Sequence, residues 1–297
     1  MPDSAIAFAT AFDSHFRALT YGAGHGEIGL FRAMHTALVR AGAGICVEEY
    51  HGASRQVTFI GNGSYARSSA RCELSDLLII VYSQRTGEIR LTFLQAKSER
   101  KPVQIPCTTK FSANLEQWFL LANRPIIAGF SAFNPPSNLL ASAVLSSVGS
   151  FGFFYRTAGG DFQTYFAVAN YLSPPVPYTQ RQGRLQAMGP CRLTTTNGYQ
   201  ECLAAADNHS FAESLYRMHI GTPINSVIVQ ATDTRNWLAA NLRYQIQQAS
   251  QLPNLSVALA QELLEVLAPN DRESLSSSFG AKSLLVVKSD GYEVALQ

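Results

Sequence analysis

The chain has 297 residues, of which 46% are hydrophobic and 15% charged, with 23 Lys and Arg against 21 Asp and Glu. A length of this order allows one large domain or two ordinary ones, and a formal charge of +2 excludes a binder that relies on a global basic field, so any affinity for nucleic acid must come from a local patch. The charged fraction lies below the usual value of about a quarter, which points to surface covered by a partner or a second copy. Cys46, Cys72, Cys107, Cys191 and Cys202 contain no CxxC pair, which argues against a disulfide framework and a structural zinc site. No apolar run has the length of a membrane span. The opening MPDSAIAFATAFDSHF lacks the basic start of a secretory signal, so a reducing, cytoplasmic location is expected.

Residues 4–20 read as a first helix with Ser4 as its cap, since Ala5, Phe8, Phe12 and Phe16 recur at near-helical spacing. A Gly-rich lead-in, which lacks the P-loop pattern, precedes a clear helix over 27–40. There Phe31, Met34 and Leu38 form the apolar stripe, Glu27 lies one turn before Phe31 on that side, and Gly42 and Gly44 end the helix. Residues 45–50 and 56–60 read as short first strands of the core sheet. Glu48 and Glu49 point to opposite faces. Residues 61–69 form a small polar loop carrying Arg67, where an ordinary surface loop competes with contact to a substrate backbone.

Leu74 to Tyr82 is an almost unbroken apolar run, Ser83 to Glu88 is polar with a Gly, and Ile89 to Ala96 is apolar again. That pattern predicts a hairpin through a buried sheet. Three polar residues interrupt it: Asp76 at the start of the first strand, and Gln95 and Lys97 at the end of the second. Ile89, Leu91, Phe93, Gln95 and Lys97 share one face, and an antiparallel return brings Asp76 beside Gln95 and Lys97. A carboxylate, an amide oxygen and water make a hard oxygen site suited to Mg²⁺. An ammonium beside it can orient a water and offset the charge of a phosphate. Arg100 and Lys101, just past Lys97, are placed to grip phosphates.

Further on, Ser112 is expected to cap a helix over 113–122, ended by Pro125, with a strand over 126–133. Strand, helix and strand form a right-handed crossover with a parallel neighbour. Residues 137–150 read as a short buried helix, and 151–156 and 162–170 as aromatic-rich core strands. The Pro-rich 173–184, with Arg181 and Arg184 available for phosphates, divides a core of 1–172 from an α+β lobe of 185–297. In that lobe helices are expected over 211–219, 234–251 and 255–267, and a hairpin of 284–287 with 292–296 around Ser-Asp-Gly.

Ser75-Asp76, a strand, a second strand, then Gln95-Ala96-Lys97 resembles the PD-(D/E)xK nuclease superfamily. It is closest to the variant with Gln in place of the first acid, as in Mrr-like and some antiphage-defence nucleases. Ser75 stands where the pattern often has Pro. The resemblance covers roughly residues 25–135. It implies an α/β fold with a restriction-endonuclease-like core, a mixed central sheet flanked by helices, followed by a C-terminal α+β extension. It also implies a Mg²⁺- or Mn²⁺-dependent endonuclease with Asp76, Gln95, Lys97 and Glu27 catalytic. Asp76, Glu27 and Gln95 are then the metal ligands, with Glu27 supplying the missing acid and Glu49 in reserve, and Arg100, Lys101 and Arg67 contact nucleic acid, most readily DNA. Bacterial restriction or antiphage defence is the implied setting, with an ATPase or helicase subunit, or a second copy, as partner. The alternative is a catalytically inactive subunit that keeps the fold and binds nucleic acid or scaffolds a larger complex.

Overall fold

A computed structural model describes residues 3–22, 26–42, 44–46, 56–104, 106–131, 133–174, 181–247, 257–267 and 281–290. Its helices are α1 (Ser4–Thr20), α2 (Glu27–Arg40), α3 (Leu115–Asn123), α4 (Asn208–Tyr216), α5 (Thr232–Gln247) and α6 (Val257–Leu267). Its strands are β1 (Gly44–Cys46), β2 (Gln56–Phe59), β3 (Ala70–Glu73), β4 (Ser75–Tyr82), β5 (Ile89–Pro102), β6 (Phe111–Asn114), β7 (Ile127–Gly129), β8 (Gly149–Arg156) and β9 (Phe162–Val168). They continue with β10 (Leu172–Ser173), β11 (Gln182–Ala187), β12 (Arg192–Thr196), β13 (Tyr199–Ala205), β14 (Thr222–Pro223) and β15 (Ala281–Lys288).

The expected hairpin forms the middle of the molecule. β4 and β5 pair antiparallel, from Leu77 opposite Leu94 to Tyr82 opposite Ile89. Gly87 sits in their turn at φ 68°, a conformation that a residue without Cβ adopts at no steric cost. Every residue of β4 is buried. A strand covered on both faces needs no polar alternation, which is why its sequence is a continuous apolar run.

A mixed sheet grows outward from this pair in the order β1-β15-β4-β5-β8-β9-β13-β12, with β14 beside the first part of β5. β15 is parallel to β4 and β8 is parallel to β5. Helices cover the sheet. The Phe16 ring of α1 stacks on Phe154 at 6.0 Å, and Phe211 of α4 packs on Phe166 at 5.7 Å. Phe153 alternates with Phe154 along β8 and therefore faces the other way, where it stacks on Phe111 of β6 at 4.3 Å. On that second side lie α3 and two small sheets, β10-β11-β6 and β3-β2-β7.

Several sequence expectations are corrected. Asp3, not Ser4, caps α1, its side chain accepting from the Ala5 amide at 3.0 Å. β2 joins β3 and β7 instead of the core sheet. Residues 111–114 are a strand with Phe111 and Ala113 buried, and Asn114 caps α3. The parallel neighbour of β5 is β8, not the strand at 127–129. Residues 137–150 hold turns and a single 3₁₀ turn, Ser146–Val148. Leu139, Leu140 and Leu145 are buried there without a helix.

β15 lies between β1 and β4, and β12 and β13 extend the other end of the same sheet. Strands from both sides of 173–184 thus build one sheet, and the sheet does not divide at that stretch. The second strand of the expected C-terminal hairpin, 292–296, lies outside the described residues, as do Glu48 and Glu49.

His219, just past α4, is buried. Burial, helped by the nearby Arg90 and Arg217 charges, pushes its pKa down to about 4. A lowered His pKa means that the unfolded chain takes up a proton that the folded chain refuses between about pH 6.5 and 4. The contribution is complete above that window and is lost as pH falls through it. We expect thermal stability to drop by about 1–3 kcal/mol between pH 7 and 4.5 from this group, and His219→Gln to flatten that slope in melts recorded across the range.

Candidate active site at the β4–β5 edge

The pairing of β4 with β5 ends at Leu77 opposite Leu94, so Asp76 and Gln95 are the next positions of the ladder. Their side chains meet. The Gln95 amide Nε2 donates to Asp76 Oδ2, and the Ala96 amide donates to the same oxygen at 2.9 Å. The carboxylate thus takes over from the main chain as acceptor where β4 begins. β5 runs on past β4 along β8, with Gln95 opposite Phe151 and Lys97 opposite Phe153. This second pairing holds Gln95 and Lys97 on one face after the first has stopped.

Glu27 is the first residue of α2, where Gly26 supplies no side-chain cap, and a carboxylate there is favoured by the helix dipole. Its Oε1 lies 3.6 Å from Lys97 Nζ, with the Lys97 side chain 18% exposed. All four residues singled out in the sequence are therefore linked: Asp76 to Gln95, Glu27 to Lys97, and the two pairs to each other through β5.

Asp76 and Gln95 are buried at 7% and 1% exposure, and Gln95 Oε1 is buried with no hydrogen-bond partner among the described residues. A buried acceptor left unsatisfied costs about 1–3 kcal/mol. Two carboxylates and an amide oxygen are hard donors of the kind Mg²⁺ and Mn²⁺ prefer, and the partnerless Gln95 oxygen is the atom that such an ion would satisfy. The donor set thus fits a divalent cation in kind. Among the described residues, no three His, Cys, Asp or Glu side chains gather as a metal site.

The residues expected to contact phosphate are arranged differently. Arg67 holds Glu116 in a two-pronged contact, Nε to Oε1 at 2.7 Å and Nη2 to Oε2 at 3.2 Å. Arg181 adds a second guanidinium at 3.3 Å from Glu116 Oε2. Lys101 is exposed at the end of β5. Arg100 lies on β5, with its side chain outside the described residues. Sequence reasoning missed Glu116, the buried acid that organises Arg67 and Arg181. Its signal was a carboxylate in the first turn of an amphipathic helix, which the dipole alone explains.

No family model, curated protein or solved structure matches the chain.

Proposed function

We propose that the chain is a metal-dependent nuclease with a restriction-endonuclease-like core, hydrolysing phosphodiester bonds of nucleic acid. The observation that carries this reading is the meeting of Asp76 with Gln95 on a strand whose next residue on that face, Lys97, reaches Glu27. The order of elements supports it: α2, the β4–β5 hairpin, α3, then β8 parallel to β5. Asp76, Glu27 and the Gln95 oxygen would hold Mg²⁺ or Mn²⁺. Such an ion, when bound, supplies Lewis acidity toward the phosphate and a water of lowered pKa.

The chain's own groups do the rest. Asp76 is fixed by the Gln95 amide and the Ala96 N–H, so it is preorganised and does not have to be recruited. Lys97 brings a cation to the same face, where it holds the attacking water and offsets charge that grows on the phosphate oxygens. Burial of Asp76 and Gln95 lowers the local dielectric and strengthens both effects. DNA as substrate, and restriction or antiphage defence as setting with an ATPase or helicase partner, come with the resemblance and are proposed with it.

One observation favours a second reading. Lys97 and Glu27 already satisfy each other, as they would in an inactive nuclease-fold subunit that only binds nucleic acid. A panel of labelled single- and double-stranded DNA and RNA, incubated with Mg²⁺, Mn²⁺ or EDTA, separates the two. Metal-dependent cutting supports the nuclease. Binding with a steep salt dependence and no cutting supports the subunit.

A further inference from the structure

We propose that a basic cleft at the far end of β5 grips the backbone of the nucleic-acid strand a few nucleotides from the phosphate at Lys97. This placement rests on the nuclease reading; the cleft's affinity for a phosphodiester chain does not. The cleft has a volume of about 460 Å³ and is lined by Glu99, Lys101, Gln104, Thr108, Lys110 and Arg184, among others. β5 leads into it directly, carrying Glu99 and Lys101 beyond Lys97. Its other wall is built by Thr108, Thr109 and Lys110, just before β6, and by Arg184 of β11, which pairs opposite Ser112 of β6.

Charge and chemistry decide what fits there. Three cations face one carboxylate, a local excess of two, as large as the formal charge of the whole chain. Arg184 is braced, with its guanidinium 3.2 Å from Glu99 Oε2 and its Nε donating to the Lys110 carbonyl at 2.9 Å. Among the described residues, no ion pair engages the ammonium groups of Lys101 and Lys110, and both side chains are exposed. Among the described residues no aromatic ring lines the cleft, so they offer no platform for stacking a base. Cations without rings suit a sugar–phosphate backbone, which is gripped without regard to sequence.

The spacing ties the cleft to the site. Lys101 lies four residues past Lys97, a reach of about 13 Å along a strand. It is well short of that here, because β5 from Ser98 to Pro102 passes β8 only from Phe154 to Arg156. In a duplex the phosphates of one strand advance roughly 3.4 Å along the helix axis per nucleotide, and in an extended single strand they lie farther apart, so a strand with one phosphate at Lys97 delivers others, within a few nucleotides, to the cleft.

The test is binding of a fluorescein-labelled 12-nucleotide DNA strand in EDTA, followed by anisotropy across a salt series. Lys101→Ala/Lys110→Ala is expected to weaken binding at least tenfold at low salt and to reduce the slope of log K against log salt by roughly 1.5. Glu99→Gln is expected to tighten it. A labelled dinucleotide is too short to span site and cleft, so its affinity should be far weaker than the 12-mer's. Parent protein that does not bind the 12-mer, an unchanged slope in the double variant, or a dinucleotide that binds as tightly as the 12-mer overturns the proposal. Cleft variants that lose binding in a protein that never cuts with Mg²⁺ or Mn²⁺ would sink the nuclease reading and leave the cleft standing. Cutting by the parent with binding unmoved in the variants would do the reverse.

Discussion

Lys97→Ala is expected to lower nucleic-acid cleavage by at least about 100-fold, the usual loss when one charge-stabilising group leaves an active site, while the protein stays folded. Among the described residues the ammonium pairs with Glu27 at 3.6 Å, and that carboxylate side chain is 43% exposed. An ion pair with one member in water contributes at most about 1 kcal/mol, so its loss leaves nothing buried and uncompensated. Asp76 is a different case. Its Oδ2 accepts from both the Gln95 amide and the Ala96 N–H. Asp76→Ala would strand two buried donors at about 1–3 kcal/mol each, and lost activity could then reflect lost structure. Asp76→Asn keeps an oxygen in place and removes the charge, so it is the variant to use. Titration with Mn²⁺ divides the roles: binding should weaken in Asp76→Asn and persist in Lys97→Ala, because a carboxylate is a ligand for the ion and an ammonium is not. Lys97→Ala cutting at the parental rate would end the nuclease assignment.

The central hairpin was legible because two signals coincided there. A fully apolar run can only be a buried segment, and Asp76, Gln95 and Lys97 broke the pattern at positions that an antiparallel return superimposes. Burial and period fixed β4, β5, β8 and β9 in the same way. What was not legible is pairing between segments far apart in the chain. Nothing in the residues of β15 says that it inserts beside β4, more than 190 positions away, because an apolar strand fits any apolar neighbour. β12 and β13 were readable in principle. Asn197-Gly198, at φ 52° and 81°, is the strongest short hairpin signal, but the Thr-rich, largely exposed β12 carries no apolar alternation to draw attention to it. The strand at 111–114 was misread because Ser112 is a good helix cap in isolation; Asn114 takes that role only because Phe111 packs on Phe153 and Tyr165. The site's outer parts were hidden for the same reason, since the partner of Arg67 is a glutamate 49 residues on.

That glutamate sets the largest stability effect expected of the charged residues. The Glu116 side chain is 2% exposed, whereas Arg67 and Arg181 are 63% and 53% exposed. The pair energies are therefore lopsided: the carboxylate carries the desolvation and the two guanidinium groups offset it from the rim. Arg67→Ala/Arg181→Ala leaves a buried carboxylate without a cation and should cost about 3–5 kcal/mol. Glu116→Gln removes the charge that needed compensating, leaves both arginines facing water, and should cost no more than about 1–2 kcal/mol. Urea melts of the three proteins measure this, and Glu116→Gln proving as costly as the double arginine variant would refute the asymmetry. The same series decides what Arg67 is for. Held on Glu116, it ties the 61–69 loop to the first turn of α3, and Arg67→Ala should lower stability while leaving the salt slope of DNA binding unchanged. A phosphate contact at Arg67 would instead remove roughly 0.7–0.9 from that slope.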